Sequence, residues 1–186
     1  SPLTELYNKT IGLIGFGSIG QRVAKIASSY GMKVIVHTRT ESKVTEYNKD
    51  VHEDEKVKFV TLDELLSTSD IVSLHCPLTN ENKGLINSDA LKKIKDGALL
   101  INTARGPLVD EQAVRDALDS GKLRGYATDV LSSEPMSEDC PLLNAKNCVI
   151  TPHVAWAAKE TRERLLSIAV ENLRSFLNGK VINRVN

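Results

Sequence analysis

Residues 11–20, with the sequence IGLIGFGSIG, decide how the chain is built. The segment 11–14 is apolar, as expected of a strand buried on both faces, and glycines follow it at 15, 17 and 20. From Ser18 the apolar spacing becomes helical. A strand, a glycine-rich turn and a helix in this order predict the first unit of a parallel α/β sheet.

The same alternation of short apolar segments and helical segments continues along the chain. Parallel strands joined by helical crossovers predict a Rossmann-type, doubly wound α/β sheet with helices on both faces, formed as a single domain over residues 1–186. The predicted strands are 11–14, 34–36, 57–60, 71–74, 98–102, 125–129 and 148–150. The predicted helices are 18–31, 62–68, 88–95, 110–123 and 159–177, the last with a stripe expected to pack inward at Leu165, Ile168, Ala169, Asn172, Leu173 and Phe176.

Composition excludes several classes of protein. The chain has 186 residues, is 41% hydrophobic and carries 24 basic and 24 acidic residues, so nothing in its charge favours nucleic acid or an anionic membrane. It contains no apolar run long enough to cross a bilayer, and its first residues lack a basic segment followed by an apolar one, so we expect a soluble chain that is not exported. The balanced charge favours a small-molecule partner. Three cysteines without metal-ligand spacing predict reduced thiols, no metal site and a cytoplasmic protein: Cys76, Cys140 and Cys148.

The glycine turn predicts a phosphate-binding site. Gly15 permits the tight turn, Gly17 lets a pyrophosphate approach the backbone, and Gly20 allows close helix packing. Amides near Ser18 and Ile19, at the positive end of the helix, would hold the phosphates of a dinucleotide. The alternative is a glycine-rich turn that serves packing only.

The residues after the second strand indicate which cofactor, NAD or NADP, the chain prefers. An acidic residue there would bind the adenosine ribose and select NAD, but this chain has Thr38 and Arg39. Arg39 could pair with a 2′-phosphate, so the local chemistry favours NADP. The alternative is that Arg39 is a solvated surface residue.

Three polar residues follow later strands and are therefore expected at the carboxyl edge of the sheet: Arg105, Glu134 and His153. Arg105 could bind the carboxylate of a 2-oxo or 2-hydroxy acid through a forked pair. His153 could exchange a proton with the substrate oxygen, and Glu134 could orient the imidazole. Each also has a purely structural interpretation. We assign structural roles to His37, His52 and His75.

Four segments, in order, resemble the D-isomer-specific 2-hydroxyacid dehydrogenase family. They span nearly the whole chain and include GLIGFGSIGQRVAKIASSYGMKVIV and GALLINTARGPLVDEQAV. The other two are SDIVSLHCPLTNENKGLIN and NCVITPHVAWAAKETRERL. TPHVAWA, together with the opening SPLTELYNKTIGLIGFG, is most similar to the glycerate dehydrogenase and hydroxypyruvate reductase branch.

The resemblance implies the same three catalytic residues: Arg105 as substrate anchor, Glu134 as histidine partner and His153 as general acid and base. Thr38 stands where NAD-using members have aspartate, and Asn82 replaces a common threonine. The implied cofactor-binding residues are Gly15, Gly17, Ser18, Ile19, Gly20, Thr38, Arg39, Cys76, Pro77, Asn82, Thr103, Ala104, Arg105, Asp129, His153 and Ala155.

Members of the family also carry a substrate domain that is not found in this chain, to which residues 178–186 would return. We therefore expect the chain to bind dinucleotide but to turn over substrate poorly, since the closure that excludes water needs both domains. A homodimer is also expected. The alternative function is that of a corepressor-like protein of the same fold that senses a dinucleotide.

Overall fold

The structure is a computed structural model that describes residues 3–185, so residues 1, 2 and 186 lie outside the described part. The chain divides into two compact units, residues 1–152 and 153–186. The first unit contains the whole sheet, and the second contains the last helix.

The sheet has seven strands, and every pairing in it is parallel. This confirms the predicted fold class and the number of strands. The strand order is β3-β2-β1-β4-β5-β6-β7. The strands are β1 Thr10–Ile14, β2 Lys33–His37, β3 Lys58–Phe59, β4 Ile71–Leu74, β5 Ala98–Asn102, β6 Leu123–Thr128 and β7 Cys148–Ile150.

Five α-helices connect the strands of the first unit, and a sixth follows in the second unit. Four of the five, and the sixth, were predicted. Helix α2 was not, because it has only 6 residues and a single buried side chain, Val44, so its sequence shows no helical periodicity. The helices are α1 Ser18–Ser29, α2 Ser42–Tyr47, α3 Leu62–Thr68, α4 Ser88–Lys93, α5 Glu111–Asp119 and α6 Lys159–Leu177.

Apolar side chains of the sheet belong to two separate clusters. Ile11 and Leu13 lie in one cluster, while Ile14 lies in the other. In β2, Val34 and Val36 join the first cluster and Ile35 packs against the second. Because successive side chains of a strand point to opposite faces, the two clusters are the cores on the two sides of the sheet.

The strand order reverses direction at β1. Ile14 is paired with His37 on one side and with Leu74 on the other, so β1, β2 and β4 end at the same level. In open α/β sheets, ligands bind in the crevice beyond the carboxyl ends of the strands at such a reversal. The residues that follow these three strands therefore form the candidate ligand-binding site.

Helix α6 in the second unit corrects one prediction. Leu165, Ile168, Leu173 and Phe176, expected to pack inward, are 52 to 67% exposed. Helical periodicity predicts an apolar face, but burial of that face requires other residues, and the second unit offers only a short tail after the helix. Among residues 3–185, no helix combines the length and apolar character needed to cross a bilayer.

Candidate active site

The turn after β1 is a tight structure that only glycine can form. Gly15 has a φ of +97°, and a Cβ there would lie 2.6 Å from the amide nitrogen of Cys76. A Cβ on Gly20 would lie 2.6 Å from the carbonyl oxygen of Gly15. The turn, the start of α1 and the chain after β4 are therefore packed backbone against backbone, as the sequence pattern predicted.

The start of α1 is open where the rest of the turn is closed. A Cβ on Gly17 would meet nothing within 4 Å. Gly17 is also the N-cap of α1, and the first turn of this helix contains no side-chain cap and no acidic residue. By contrast, α3, α4 and α5 are capped by the side chains of Thr61, Asn87 and Asp110.

These features fit a dinucleotide. The first amides of a helix have no partner within the helix and attract anions. At α1 the exposed residues Ser18 and Ile19 carry two of these amides, and the open side of Gly17 gives a pyrophosphate room to reach them. Backbone amide donors at a helix start suit the pyrophosphate of the dinucleotide that the sequence predicted.

Thr38 and Arg39 follow β2, beside this turn. Thr38 is half-buried and its hydroxyl oxygen accepts from the amide of Thr40 at 3.4 Å, whereas Arg39 is exposed. Burial raises the pKa of the nearby Cys76 thiol, and the positive charge of Arg39 acts on that pKa in the opposite direction. Arg39 comes two residues after His37, which is paired with Ile14 at the end of β1, so Arg39 and the turn are at the same end of the sheet.

The loop after β4 contains Cys76, Pro77 and Asn82. The side chain of Asn82 is engaged within the loop: its Oδ1 accepts from the amide of Thr79 at 2.7 Å, and its Nδ2 donates to the carbonyl of Pro77 at 2.8 Å. A longer contact joins Nδ2 to the sulfur of Cys76 at 3.9 Å. Asn82 thus shapes the loop that borders the glycine turn.

The loop after β5 carries Arg105 and is held by Asn102, a residue that was not predicted from the sequence. Asn102 is fully buried; its Nδ2 donates to the carbonyl of Arg105 at 2.9 Å and its Oδ1 accepts from the amide of Ala104 at 3.0 Å. A polar residue closing the apolar strand ALLIN was the available signal. Thr103 and the Arg105 side chain are exposed, so the guanidinium is accessible to a ligand.

The Arg105 loop and the Glu134 loop are in direct contact. A Cβ on Gly106 would lie 2.0 Å from the carbonyl carbon of Leu131 and 2.4 Å from the nitrogen of Ser132. Oε1 of Glu134 accepts from the amide of Leu131 at 3.0 Å, so this carboxylate folds back onto the same contact. The structure therefore brings two of the three predicted catalytic residues to one edge of the sheet.

Substitution of Gly106 by alanine is expected to lower the free energy of unfolding by about 3 kcal/mol, since the added methyl group forces two backbone segments apart. Gly17→Ala is the matched control, because its methyl group meets no atom; it should cost no more than about 1 kcal/mol, the loss at an N-cap. Urea denaturation of both variants without ligand measures the difference. Equal destabilisation would contradict the contact.

Asp129 follows β6 at the same edge. It is buried, and its Oδ1 accepts from the hydroxyl of Thr151 at 2.5 Å. His153 and Ala155 belong to the second unit, where His153 has a φ of +53°, a left-handed conformation that is uncommon for a residue other than glycine.

Two other histidines have structural contacts. Nδ1 of His37 lies 3.1 Å from the carbonyl of Val60, and Nε2 of His75 lies 2.9 Å from the hydroxyl of Ser73. Burial lowers the pKa of His75, which favours its neutral form.

Within the described part of the chain, no group of three or more His, Cys, Asp or Glu side chains is arranged to hold a metal ion.

Comparison with known proteins gives the family of the chain. The family described as D-isomer specific 2-hydroxyacid dehydrogenase, NAD binding domain, matches residues 1–155, and the chain belongs to this family. A hydroxypyruvate reductase of Blautia hydrogenotrophica is 49% identical over 185 residues, covering 100% of this chain and 55% of that protein. A glyoxylate reductase of Aeropyrum pernix is 41% identical over 177 residues, covering 95% of this chain and 51% of that protein. The chain thus spans about half the length of these relatives.

Solved structures with this fold include complexes with both cofactors. An acyclic imino acid reductase in complex with NADPH and D-Arg has a TM-score of 0.82 and 37% identity, covering 98% of this chain and 55% of that one. An NAD-dependent formate dehydrogenase from Staphylococcus aureus in complex with NAD has a TM-score of 0.84 and 34% identity, covering 96% of this chain and 51% of that one.

Proposed function

We propose that this chain is the dinucleotide-binding part of an NAD(P)-dependent D-2-hydroxyacid dehydrogenase. The reaction is reversible hydride transfer between NAD(P)H and a small 2-oxo acid, hydroxypyruvate or glyoxylate, to give D-glycerate or glycolate. The observation that carries the proposal is the open, uncapped start of α1 at Gly17, on the sheet edge from which the Arg105 and Glu134 loops also extend. Relatives named hydroxypyruvate reductase and glyoxylate reductase support the substrate class.

The cofactor would be held along the carboxyl ends of the strands. Amides of Ser18 and Ile19 would bind its pyrophosphate, and Thr38 with Arg39 would bind the adenosine ribose. Cys76 and Pro77 would border the adenosine, while Asp129 would accept from the carboxamide group. When bound, the reduced nicotinamide supplies the hydride.

Arg105 would hold the substrate by its carboxylate. A guanidinium presents two parallel N–H donors, so a forked pair fixes both the position and the rotation of a 2-oxo acid. The exposed guanidinium of Arg105, on a loop held by buried Asn102, suits this role.

His153 would give a proton to the carbonyl oxygen during reduction and take it back in the reverse direction. Glu134 would fix the orientation of the imidazole. The hydrogen bond from the Leu131 amide to Oε1 of Glu134 supports this role, because it restricts the carboxylate to one orientation.

We further propose that NADP is the preferred cofactor. Replacing Arg39 by alanine should weaken NADPH binding about tenfold to a hundredfold and change NADH binding by less than about threefold, since only NADPH carries the 2′-phosphate that pairs with the guanidinium. Fluorescence titration of the chain with each dinucleotide measures this. Equal losses for NADH and NADPH would count against a 2′-phosphate contact.

Two measurements test the proposed function. The chain should bind NADPH in a fluorescence titration, and the full-length protein should oxidise NADPH when hydroxypyruvate or glyoxylate is added. Binding without oxidation with either acid would favour the alternative, a dinucleotide-sensing protein without this activity. Absence of binding would remove both.

We propose a cytoplasmic location and a homodimer. The three cysteines of the chain are free thiols, which suits a reducing compartment. Light scattering of the full-length protein would test the oligomeric state.

A further inference from the structure

The residue before Asp129 is a threonine whose side chain is buried. Thr128 is the last residue of β6, is 3% exposed and is paired with Asn102, the last residue of β5. A buried hydroxyl needs hydrogen-bond partners, because burial of an unpaired polar group is costly. The partners of Thr128 therefore show what this side chain holds in place.

The hydroxyl of Thr128 binds the backbone two residues further along the chain. It donates to the carbonyl oxygen of Val130 at 2.6 Å and accepts from the amide of Val130 at 3.2 Å. A longer contact, of 3.1 Å, reaches the carbonyl oxygen of Asn102. A hydroxyl has one proton, so the carbonyl of Val130, at the shorter distance, is its main acceptor.

The carbonyl of Val130 belongs to the same peptide unit as the amide of Leu131. This amide donates to Oε1 of Glu134 at 3.0 Å. Because a peptide unit is planar and rigid, its carbonyl and its N–H cannot turn independently. The Thr128 hydroxyl at one end of the unit therefore sets the direction of the N–H that holds the Glu134 carboxylate at the other end.

Packing keeps the rest of this loop in place. Val130 and Leu131 are both buried, with 2% and 9% exposure. The next peptide unit, between Leu131 and Ser132, packs against Gly106, where a Cβ would lie 2.1 Å from the carbonyl oxygen of Leu131. Loss of the Thr128 hydroxyl is therefore expected to let the peptide between Val130 and Leu131 rotate without displacing the loop.

We propose that Thr128 is a positioning residue for Glu134 and acts through the peptide between Val130 and Leu131. This inference rests on the proposed function, in which Glu134 orients the imidazole of His153. The Thr128 hydroxyl fixes the carboxylate, and the carboxylate fixes the imidazole that exchanges a proton with the substrate oxygen. A carboxylate that rotates lowers the fraction of molecules with a correctly oriented imidazole, so the rate falls while binding is kept.

The experiment compares Thr128→Val with Thr128→Ser in the full-length protein. Valine has nearly the shape of threonine but lacks the hydroxyl, whereas serine retains it. Ser69→Ala is the matched control, because Ser69 is fully buried and its hydroxyl donates to the carbonyl of Leu65 at 2.6 Å. Ser69 precedes β4, at the amino edge of the sheet, so its hydrogen bond is lost far from the proposed site.

The measured quantities are kcat and KM for hydroxypyruvate and the dissociation constant for NADPH. In Thr128→Val, kcat should fall about tenfold, while KM and the dissociation constant change by less than about twofold. Thr128→Ser and Ser69→Ala should stay within about twofold of the wild type in all three quantities. An unchanged kcat in Thr128→Val, or an equal loss of NADPH affinity, would overturn the inference.

A double substitution tests whether Thr128 acts through Glu134. In a protein that already carries Glu134→Ala, adding Thr128→Val should lower kcat by less than about twofold, since no carboxylate remains to be positioned. A further loss of about tenfold in the double variant would overturn the inference and leave the proposed function intact. Absence of turnover in the wild-type protein would overturn the proposed function, and this inference with it.

Discussion

Replacing Gly17 by valine is expected to weaken dinucleotide binding by about two orders of magnitude while the chain stays folded. A Cβ at this position meets no protein atom within 4 Å, so the branch point of the new side chain lies in open space. It would, however, occupy the space through which a pyrophosphate reaches the amides at the start of α1. Loss of two hydrogen bonds to a charged group accounts for the size of the effect.

The measurement is a titration with NADPH, together with thermal unfolding without ligand. The unfolding temperature should fall by no more than about 4 °C, the cost of a poorer N-cap. Ser29→Val is the control, because it adds a similar exposed side chain at the far end of the same helix. Unchanged NADPH affinity in Gly17→Val would show that the phosphates bind elsewhere.

Replacing His153 by asparagine is expected to lower kcat/KM for hydroxypyruvate reduction by about a thousandfold in the full-length protein. A positioned general acid contributes about this much to proton transfer, and an amide cannot supply the proton. Asparagine is a better replacement than alanine here. The φ of His153 is +53°, and asparagine tolerates this left-handed conformation, so the backbone is not strained by the change.

NADPH affinity provides the internal control for His153→Asn. It should change far less than kcat/KM, since the residues proposed to bind the phosphates and the adenosine belong to the first unit. If the variant keeps the wild-type rate, His153 has no part in proton transfer. If affinity and rate fall together, its role is in binding the cofactor.

The sequence predicted the sheet well, for a physical reason. Strands such as Ala98–Asn102 lie in the middle of a parallel sheet, so they appear as short, almost wholly apolar segments. Glycines 15 and 20 were equally informative, because each marks a place where two backbones nearly touch.

Features that depend on tertiary contacts could not be predicted. The backbone contact of Gly106 with Leu131 and Ser132 joins segments that are distant in the sequence, and no local sequence pattern predicts this contact. The prediction that the apolar stripe of α6 is buried was wrong, because periodicity identifies an apolar helix face but not the residues that would cover it.

The backbone contact at Gly106 affects how the effects of substitutions in the two loops combine. Because the two loops share one backbone contact, the segments that carry Arg105 and Glu134 cannot shift independently. A change in either loop alters the setting of the other, so the losses caused by substitutions at Arg105 and Glu134 should not simply add. A double-mutant cycle on Arg105 and Glu134 should therefore give a coupling energy different from zero.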